Sequence, residues 1–299
     1  MKKLYGTGVA LVTPFKKDEK IDFNSLEKLI KYVLDNDVDY LVALGTTAET
    51  ATLKVEEKRD VVECIQNANY KKVPIILGVG GNNTKEIIGQ INKIKNLSSF
   101  HSILSVTPYY NKPSQEGLYK HFESIVNCTE AKIVIYNVPK RTGVNILPDT
   151  VLRLANNFSN IIGIKEASGN ILQSYKIIEK KPKNFNVISG DDFISLPIIL
   201  GGGEGVISVI AQGLPDKISK MVNLARNNQV QKSFSIFYEI IRIIDLIYEE
   251  GNPTGIKTFL SIKKMCNPYL RLPLLTGSIF LKKKMLNLLE KIKFHVSNK

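Results

Sequence analysis

Ile161-Ile162-Gly163-Ile164-Lys165-Glu166-Ala167-Ser168 is a short, β-branched, apolar run that reaches a lysine. Bounded by turn-type residues, it reads as a fully buried strand closed by Lys165. A lysine at that point has two fates. Its amine can snorkel to water, the usual outcome for a charged group at a strand end. Or it can stand in a pocket as a nucleophile, because desolvation and a nearby like charge both favour the neutral amine that attacks a carbonyl.

The neighbouring segments choose between these fates. Upstream, Pro148 suits the first turn of a helix carrying Val151, Leu152 and Leu154. Before it lies a strand, Lys132–Asn137, and before that Ser102–Val106, which runs into Thr107-Pro108-Tyr109-Tyr110. Between those two, Pro113-Ser114 starts a helix with Leu118, Phe122 and Ile125 on its buried face. Pro74–Val79, Tyr40–Leu44 and Gly8–Thr13 complete the upstream strands, with helical stripes at Ile87, Ile88, Ile91 and Ile94, at Val61, Val62 and Ile65, and at Leu26, Leu29, Ile30, Val33 and Leu34. Asn24 and Glu27 are spaced like a capping box for the first helix. Downstream come the strands Asn186–Ser189 and Gly205–Val209. The glycine-rich Gly201–Gly205 precedes a strand and lacks a G-K-[ST] ending, so it reads as a turn and not as a phosphate cradle.

Eight strands, each followed by a helix, predict an α/β fold of the (β/α)8 TIM barrel type over residues 1–227. An open doubly wound sheet is the competing arrangement, since strand order cannot be read from one chain. From 228 to 299 the pattern is helical only, with Phe234–Ile247, a break at Asn252-Pro253-Thr254 and a last stripe over Leu281–Ile292. It predicts a C-terminal helical extension packed on the barrel.

Of the 299 residues, 43% are hydrophobic and 23% charged, a globular balance that excludes disorder. No apolar run approaches the roughly 20 residues that span a bilayer, and Met1-Lys2-Lys3-Leu4-Tyr5 lacks a signal-peptide core. A cytoplasmic protein is expected. Cys64, Cys128 and Cys266, like His101, His121 and His295, are scattered, so neither a disulfide framework nor a metal site is expected, and no cofactor. The net charge of +13 is spread over nearly every helix; Lys180-Lys181-Pro182-Lys183 and Lys282-Lys283-Lys284 lack interleaved aromatics. That argues against nucleic acid and suits a field that draws in small anions.

In a barrel, chemistry collects at the C-terminal strand ends. Those ends carry Thr46 and Thr47, Tyr109 and Tyr110, Tyr136 followed by Arg141, Lys165, Gly190 and Ile207. A lysine amine there can condense with a keto acid to an iminium, which acidifies the adjacent carbon. The Tyr136 hydroxyl can move protons, and threonine hydroxyls, backbone amides and the Arg141 fork suit carboxylates.

Six segments carry a resemblance: Gly45–Thr50, Val106–Gly117, Tyr136–Gly143, Gly163–Ser168, Ser189–Asp192 and Gly205–Ser208. With them the chain resembles the pyruvate-dependent class I aldolases and lyases, in particular the branch that condenses pyruvate with aspartate semialdehyde on the diaminopimelate route to lysine. The resemblance implies that Lys165 forms a Schiff base with pyruvate. It implies that Tyr136 exchanges protons through Thr46 and through Tyr110 of a neighbouring subunit. Thr47 and Ile207, beside Gly190, would hold pyruvate, and Arg141 the carboxylate of aspartate semialdehyde. A homotetramer of two tight dimers is implied. Thr50, Ala51, Asn82, Glu86 and Tyr109 match positions that bind effector lysine in some relatives, whereas Val55 and Lys58 stand where histidine can occur. Ala48 replaces a usual glycine. N-acetylneuraminate lyase, a sister on the same barrel, typically has Ser-Thr at Thr46-Thr47 and lacks the arginine of Arg141. A catalytically silent ligand-binding barrel is a further alternative.

Overall fold

The computed structural model describes residues 4–297, with side chains through Lys291; Met1–Lys3 and the side chains of Ile292 and His295 lie outside the described residues. Eight parallel strands pair in chain order: β1 (Gly6–Ala10), β2 (Tyr40–Ala43), β3 (Ile75–Gly78), β4 (Ser102–Val106), β5 (Ile133–Asn137), β6 (Ile161–Glu166), β7 (Asn186–Ser189) and β8 (Gly205–Ser208). β8 then pairs with β1, so the sheet closes into a barrel and the doubly wound arrangement is excluded.

Around it lie α1 (Phe23–Asp35), α2 (Val55–Ala68), α3 (Thr84–Asn92), α4 (Gln115–Val126), a short α5 (Pro139–Thr142), α6 (Pro148–Asn157), α7 (Ile171–Lys180), α8 (Ser195–Leu200) and α9 (Pro215–Arg226). Three further helices follow: α10 (Val230–Glu249), α11 (Thr254–Ile262) and α12 (Ile279–Ser297). Among the described residues no helix is long and apolar enough to cross a membrane.

Two apolar clusters follow from the strand alternation. Outward residues such as Leu41, Ile135 and Ile164 pack against the helices, while Val42, Ile76, Leu104, Val134, Ile188 and Ile207 fill the barrel. Among the paired strands the alternation is interrupted once, in β6. Ile133 pairs with Ile161 but Val134 with Gly163, so Ile162 is an extra residue in β6. A slip of one residue exchanges the two faces of a strand. Beyond Ile162, therefore, Lys165 pairs with Tyr136 and shares its inward face, whereas Glu166 pairs with Asn137 and turns outward.

Several local expectations shift. α1 is capped by Asp22, not by Asn24: the Asp22 carboxylate accepts from the Ser25 amide at 3.2 Å and its hydroxyl at 2.8 Å. β1 ends at Ala10 and not at Thr13, because Val12 N–H is taken by Gln212 Oε1 at 2.7 Å and Thr13 hydroxyl by the Ala48 carbonyl at 2.8 Å. β6 runs one residue past Lys165. Gly201–Glu204 forms the turn into β8, fixed by Glu204, which accepts from Val187 N–H at 2.6 Å and pairs with Lys181 at 2.7 Å.

Candidate active site

Lys165 and Tyr136 face each other inside the barrel mouth. The Lys165 Nζ lies 4.2 Å from the centre of the Tyr136 ring, and the lysine is only 5% exposed. Burial of a long cationic side chain without snorkelling is rare, so the solvent-facing fate is excluded. Among the described residues no carboxylate forms an ion pair with this amine. Gly190, on the loop after β7, makes room for it. A Cβ there would come within 2.7 Å of Ala167 Cβ and 2.9 Å of Lys165 Cε. Ile207, on β8, belongs to the same inner cluster as Tyr136 and Val138.

Directly behind the lysine, Glu166 is buried against α7 and is satisfied entirely by neutral donors. It accepts from Asn137 Nδ2 at 2.9 Å, Gln173 Nε2 at 2.9 Å and Ser168 N–H at 2.7 Å. Asn145 closes the network, its Oδ1 2.7 Å from Asn137 Nδ2 and its Nδ2 2.9 Å from Gln173 Oε1. The network rivets β5 to β6 at the residues next to Tyr136 and Lys165.

Thr46 and Thr47 open a 3-10 turn after β2. Ala48 lies within that turn, its N–H bonded to the Gly45 carbonyl at 3.1 Å, and the left-handed position falls on Glu49 at φ 54°. The alanine is therefore accommodated without strain. Thr47 is buried and its hydroxyl accepts from Asn252 Nδ2 at 2.9 Å. Arg141, exposed on α5, donates from Nη2 to the Asn252 carbonyl at 2.8 Å. Thus the extension, through the α10–α11 turn, touches both residues.

A second tether lies two residues past Thr47. Glu49 and Lys257, both fully buried, pair at 2.5 Å; Lys257 also donates to the Tyr269 carbonyl at 2.9 Å and lies 4.1 Å from the Phe15 ring centre. Burial pulls the Lys257 ammonium below its ordinary range, with Glu49 opposing that shift. Arg271 extends the cluster. Its N–H reaches Glu49 at 3.1 Å, and its guanidinium bridges Glu57 and holds that carboxyl down at about 2.

Tyr110 stands apart from this constellation. It is 88% exposed and in the left-handed region at φ 73°. Tyr109 is also exposed. Of the remaining expected residues, Thr50 donates to the Gly45 carbonyl at 2.9 Å, and the Asn82 carbonyl accepts from Asn111 at 2.9 Å. Together with Ala51 and Glu86 they lie on three successive loops and helix starts, after β2, β3 and β4.

Sequence reasoning missed Asn252, Lys257, Glu49 and Glu166. For Asn252 the only signal was a polar residue at the break between two apolar helices. Another missed residue, Asp192, is buried behind β8. It accepts from the Val209 and Ile210 amides at 3.1 and 3.2 Å and from the Tyr248 hydroxyl at 2.9 Å, and burial raises both its carboxyl and the Tyr248 phenol. Among the described residues no cluster of three or more His, Cys, Asp or Glu is placed to hold a metal.

Comparison with known proteins points one way. The model of the dihydrodipicolinate synthetase family matches residues 3–292. A 4-hydroxy-tetrahydrodipicolinate synthase of Karelsulcia muelleri is 56% identical over 286 residues, 95% of this chain and 96% of that protein. Among solved structures, the chloride-inhibited dihydrodipicolinate synthase from Acinetobacter baumannii complexed with pyruvate superposes with a TM-score of 0.93 at 36% identity, covering 97% of this chain and 99% of that one. A dihydrodipicolinate synthase variant described as the first monomeric one gives 0.93 at 35% identity, covering 97% of each.

Proposed function

The chain belongs to the dihydrodipicolinate synthetase family and is a lyase that condenses pyruvate with L-aspartate 4-semialdehyde to 4-hydroxy-tetrahydrodipicolinate, in the diaminopimelate route to lysine, and we propose that Lys165 is its Schiff-base residue. The observation that supports this reading is the burial of Lys165 against the Tyr136 ring inside the barrel mouth.

In this mechanism the Lys165 amine adds to the keto carbon of pyruvate, and the carbinolamine loses water to give an iminium. A proton then leaves the methyl carbon, and the resulting enamine attacks the aldehyde carbon of the second substrate. The new alkoxide takes a proton. The substrate's own amine closes the ring onto the iminium carbon, and Lys165 leaves as the free amine. Tyr136 handles the protons, passing them through Thr46 and through the neighbouring subunit's Tyr110. The exposure of Tyr110 fits a residue used in trans. Thr47 and Ile207 hold the pyruvyl group, Gly190 keeps the space beside Lys165 open, and Arg141 holds the second carboxylate.

This arrangement calls for an oligomer, a homotetramer of two dimers in our reading, acting in the cytoplasm with no nucleic-acid partner. We further read residues 1–227 as the catalytic barrel and 228–299 as its extension, and Thr50, Ala51, Asn82, Glu86 and Tyr109 as a regulatory lysine site. Arg141 favours the synthase over an N-acetylneuraminate lyase activity. The decisive experiment is borohydride reduction with pyruvate: one reduced pyruvyl adduct per chain at Lys165 is expected, and an adduct elsewhere or none overturns the assignment.

A further inference from the structure

We propose that Asn252 is a positioning residue that fixes the polarity of the Thr47 hydroxyl and ties it to Arg141. The proposal rests on the reading that Thr47 holds pyruvate.

A threonine hydroxyl has one hydrogen to give and two lone pairs to receive with. The amide NH2 of Asn252 can only donate. At 2.9 Å from Thr47 Oγ1 it occupies a lone pair, so the hydroxyl hydrogen is left for another acceptor. A carboxylate in the barrel mouth is acceptor only, and suits that hydrogen. The opposite orientation of the amide would consume the hydrogen and leave the threonine offering lone pairs to an anion. The chosen orientation leaves Asn252 Oδ1 buried without a partner, a penalty that folded cores normally avoid. Reversing the amide would instead leave two N–H donors without a partner at that buried position, so the donor side facing Thr47 is the less costly orientation.

The same residue's carbonyl accepts from Arg141 Nη2 at 2.8 Å, so the residues assigned to the two substrates share one anchor. That anchor is rigid. α10 and α11 approach so closely beside it that a Cβ on Gly255 would meet the Ile247 carbonyl at 2.0 Å. One turn further along α11, Lys257 holds Glu49, two residues beyond Thr47. Displacing the amide therefore requires displacing the helix pair.

The test compares N252D, T47V and the double variant in the full-length enzyme, measuring KM for each substrate and kcat. The aspartate carboxyl is isosteric but accepts, and so captures the Thr47 hydrogen. N252D is expected to raise the pyruvate KM about tenfold, the scale of one hydrogen bond to a charged group, with a smaller effect on the KM for aspartate semialdehyde. T47V should do the same, and the double variant should be no worse than T47V, since Asn252 acts through Thr47. The pyruvate KM of N252D should also recover as pH falls and the introduced carboxyl regains a proton to donate. An unchanged pyruvate KM in N252D, effects that multiply in the double variant, or a pH-independent defect each overturn the proposal. If T47V itself leaves the pyruvate KM unchanged while borohydride still traps pyruvate on Lys165, it is the assignment of Thr47 that fails. Should N252D not fold, N252S, which removes the amide donor without adding charge, carries the same expectation of a raised pyruvate KM.

Discussion

Lys165 and Tyr136 are direct partners across β5 and β6, with the lysine amine 4.2 Å from the centre of the tyrosine ring. This pairing separates the ring's packing role from the hydroxyl's chemical role. Tyr136→Phe keeps the ring under the amine, so pyruvate should still be trapped on Lys165 by borohydride. Turnover should fall about 10²–10⁴-fold, the usual contribution of a positioned proton-transfer group. Equal loss of trapping and turnover would mean that the hydroxyl matters to binding instead.

Gly190 makes a steric prediction. A methyl group there must displace Ala167 or the Lys165 side chain, with contacts of 2.7 and 2.9 Å. Gly190→Ala is expected to cost about 1–3 kcal/mol of stability through overpacking, and to lower kcat by misplacing the amine. Thermal melting at fixed protein concentration, alongside steady-state kinetics, checks both.

The buried Glu49–Lys257 pair should behave unlike a surface ion pair. Lys257→Met leaves the Glu49 carboxylate buried and uncompensated, and breaking such a pair costs about 3–5 kcal/mol. Replacing both, with Glu49→Leu added, should recover much of that loss. If each single change costs less than about 1 kcal/mol, the range typical of exposed pairs, the tether has little structural weight.

His121 predicts the acid limb of stability. Its Nδ1 meets the Thr84 hydroxyl at 2.8 Å, its Nε2 is buried without a partner, and burial lowers its pKa to about 4 from 6.5. The folded protein therefore resists protonation that the unfolded chain accepts. The contribution is complete above about pH 6.5 and is lost as pH falls towards 4, to the extent of on the order of 3 kcal/mol. Urea unfolding at pH 7.5 and 4.5 should show that loss in the parent protein and a smaller one in His121→Gln.

The barrel was legible because strand and helix periodicities alternate eight times along the chain. Its closure was expected from the count of eight strand–helix units and is borne out by the β8–β1 pairing, although strand order itself leaves no local trace. The inward aim of Lys165 was also hidden. Ile161-Ile162-Gly163-Ile164 is apolar on both faces, so nothing in it marks Ile162 as the extra residue that turns the lysine inward. The start of α1 misled for a different reason: Asp22, Asn24 and Ser25 are all competent caps, and only the fold selects Asp22. Asn252 escaped notice because its partner Thr47 is 205 residues away, beyond any pattern that spacing can reveal.

That separation has a bearing on how the protein is made. Chains grow from the N-terminus at about 5–20 residues per second, and β8 is complete long before Asn252, Lys257 and Arg271 have been added. A nascent chain stopped after α9 holds every strand of the barrel, with Lys165 and Tyr136 already encoded, and keeps the Thr13–Ala48 and Thr50–Gly45 bonds of the turn, but lacks the partners of Thr47, Glu49 and Arg141. The tethers that join Thr47, Glu49 and Arg141 to the C-terminal helices thus form only in the final stretch of synthesis.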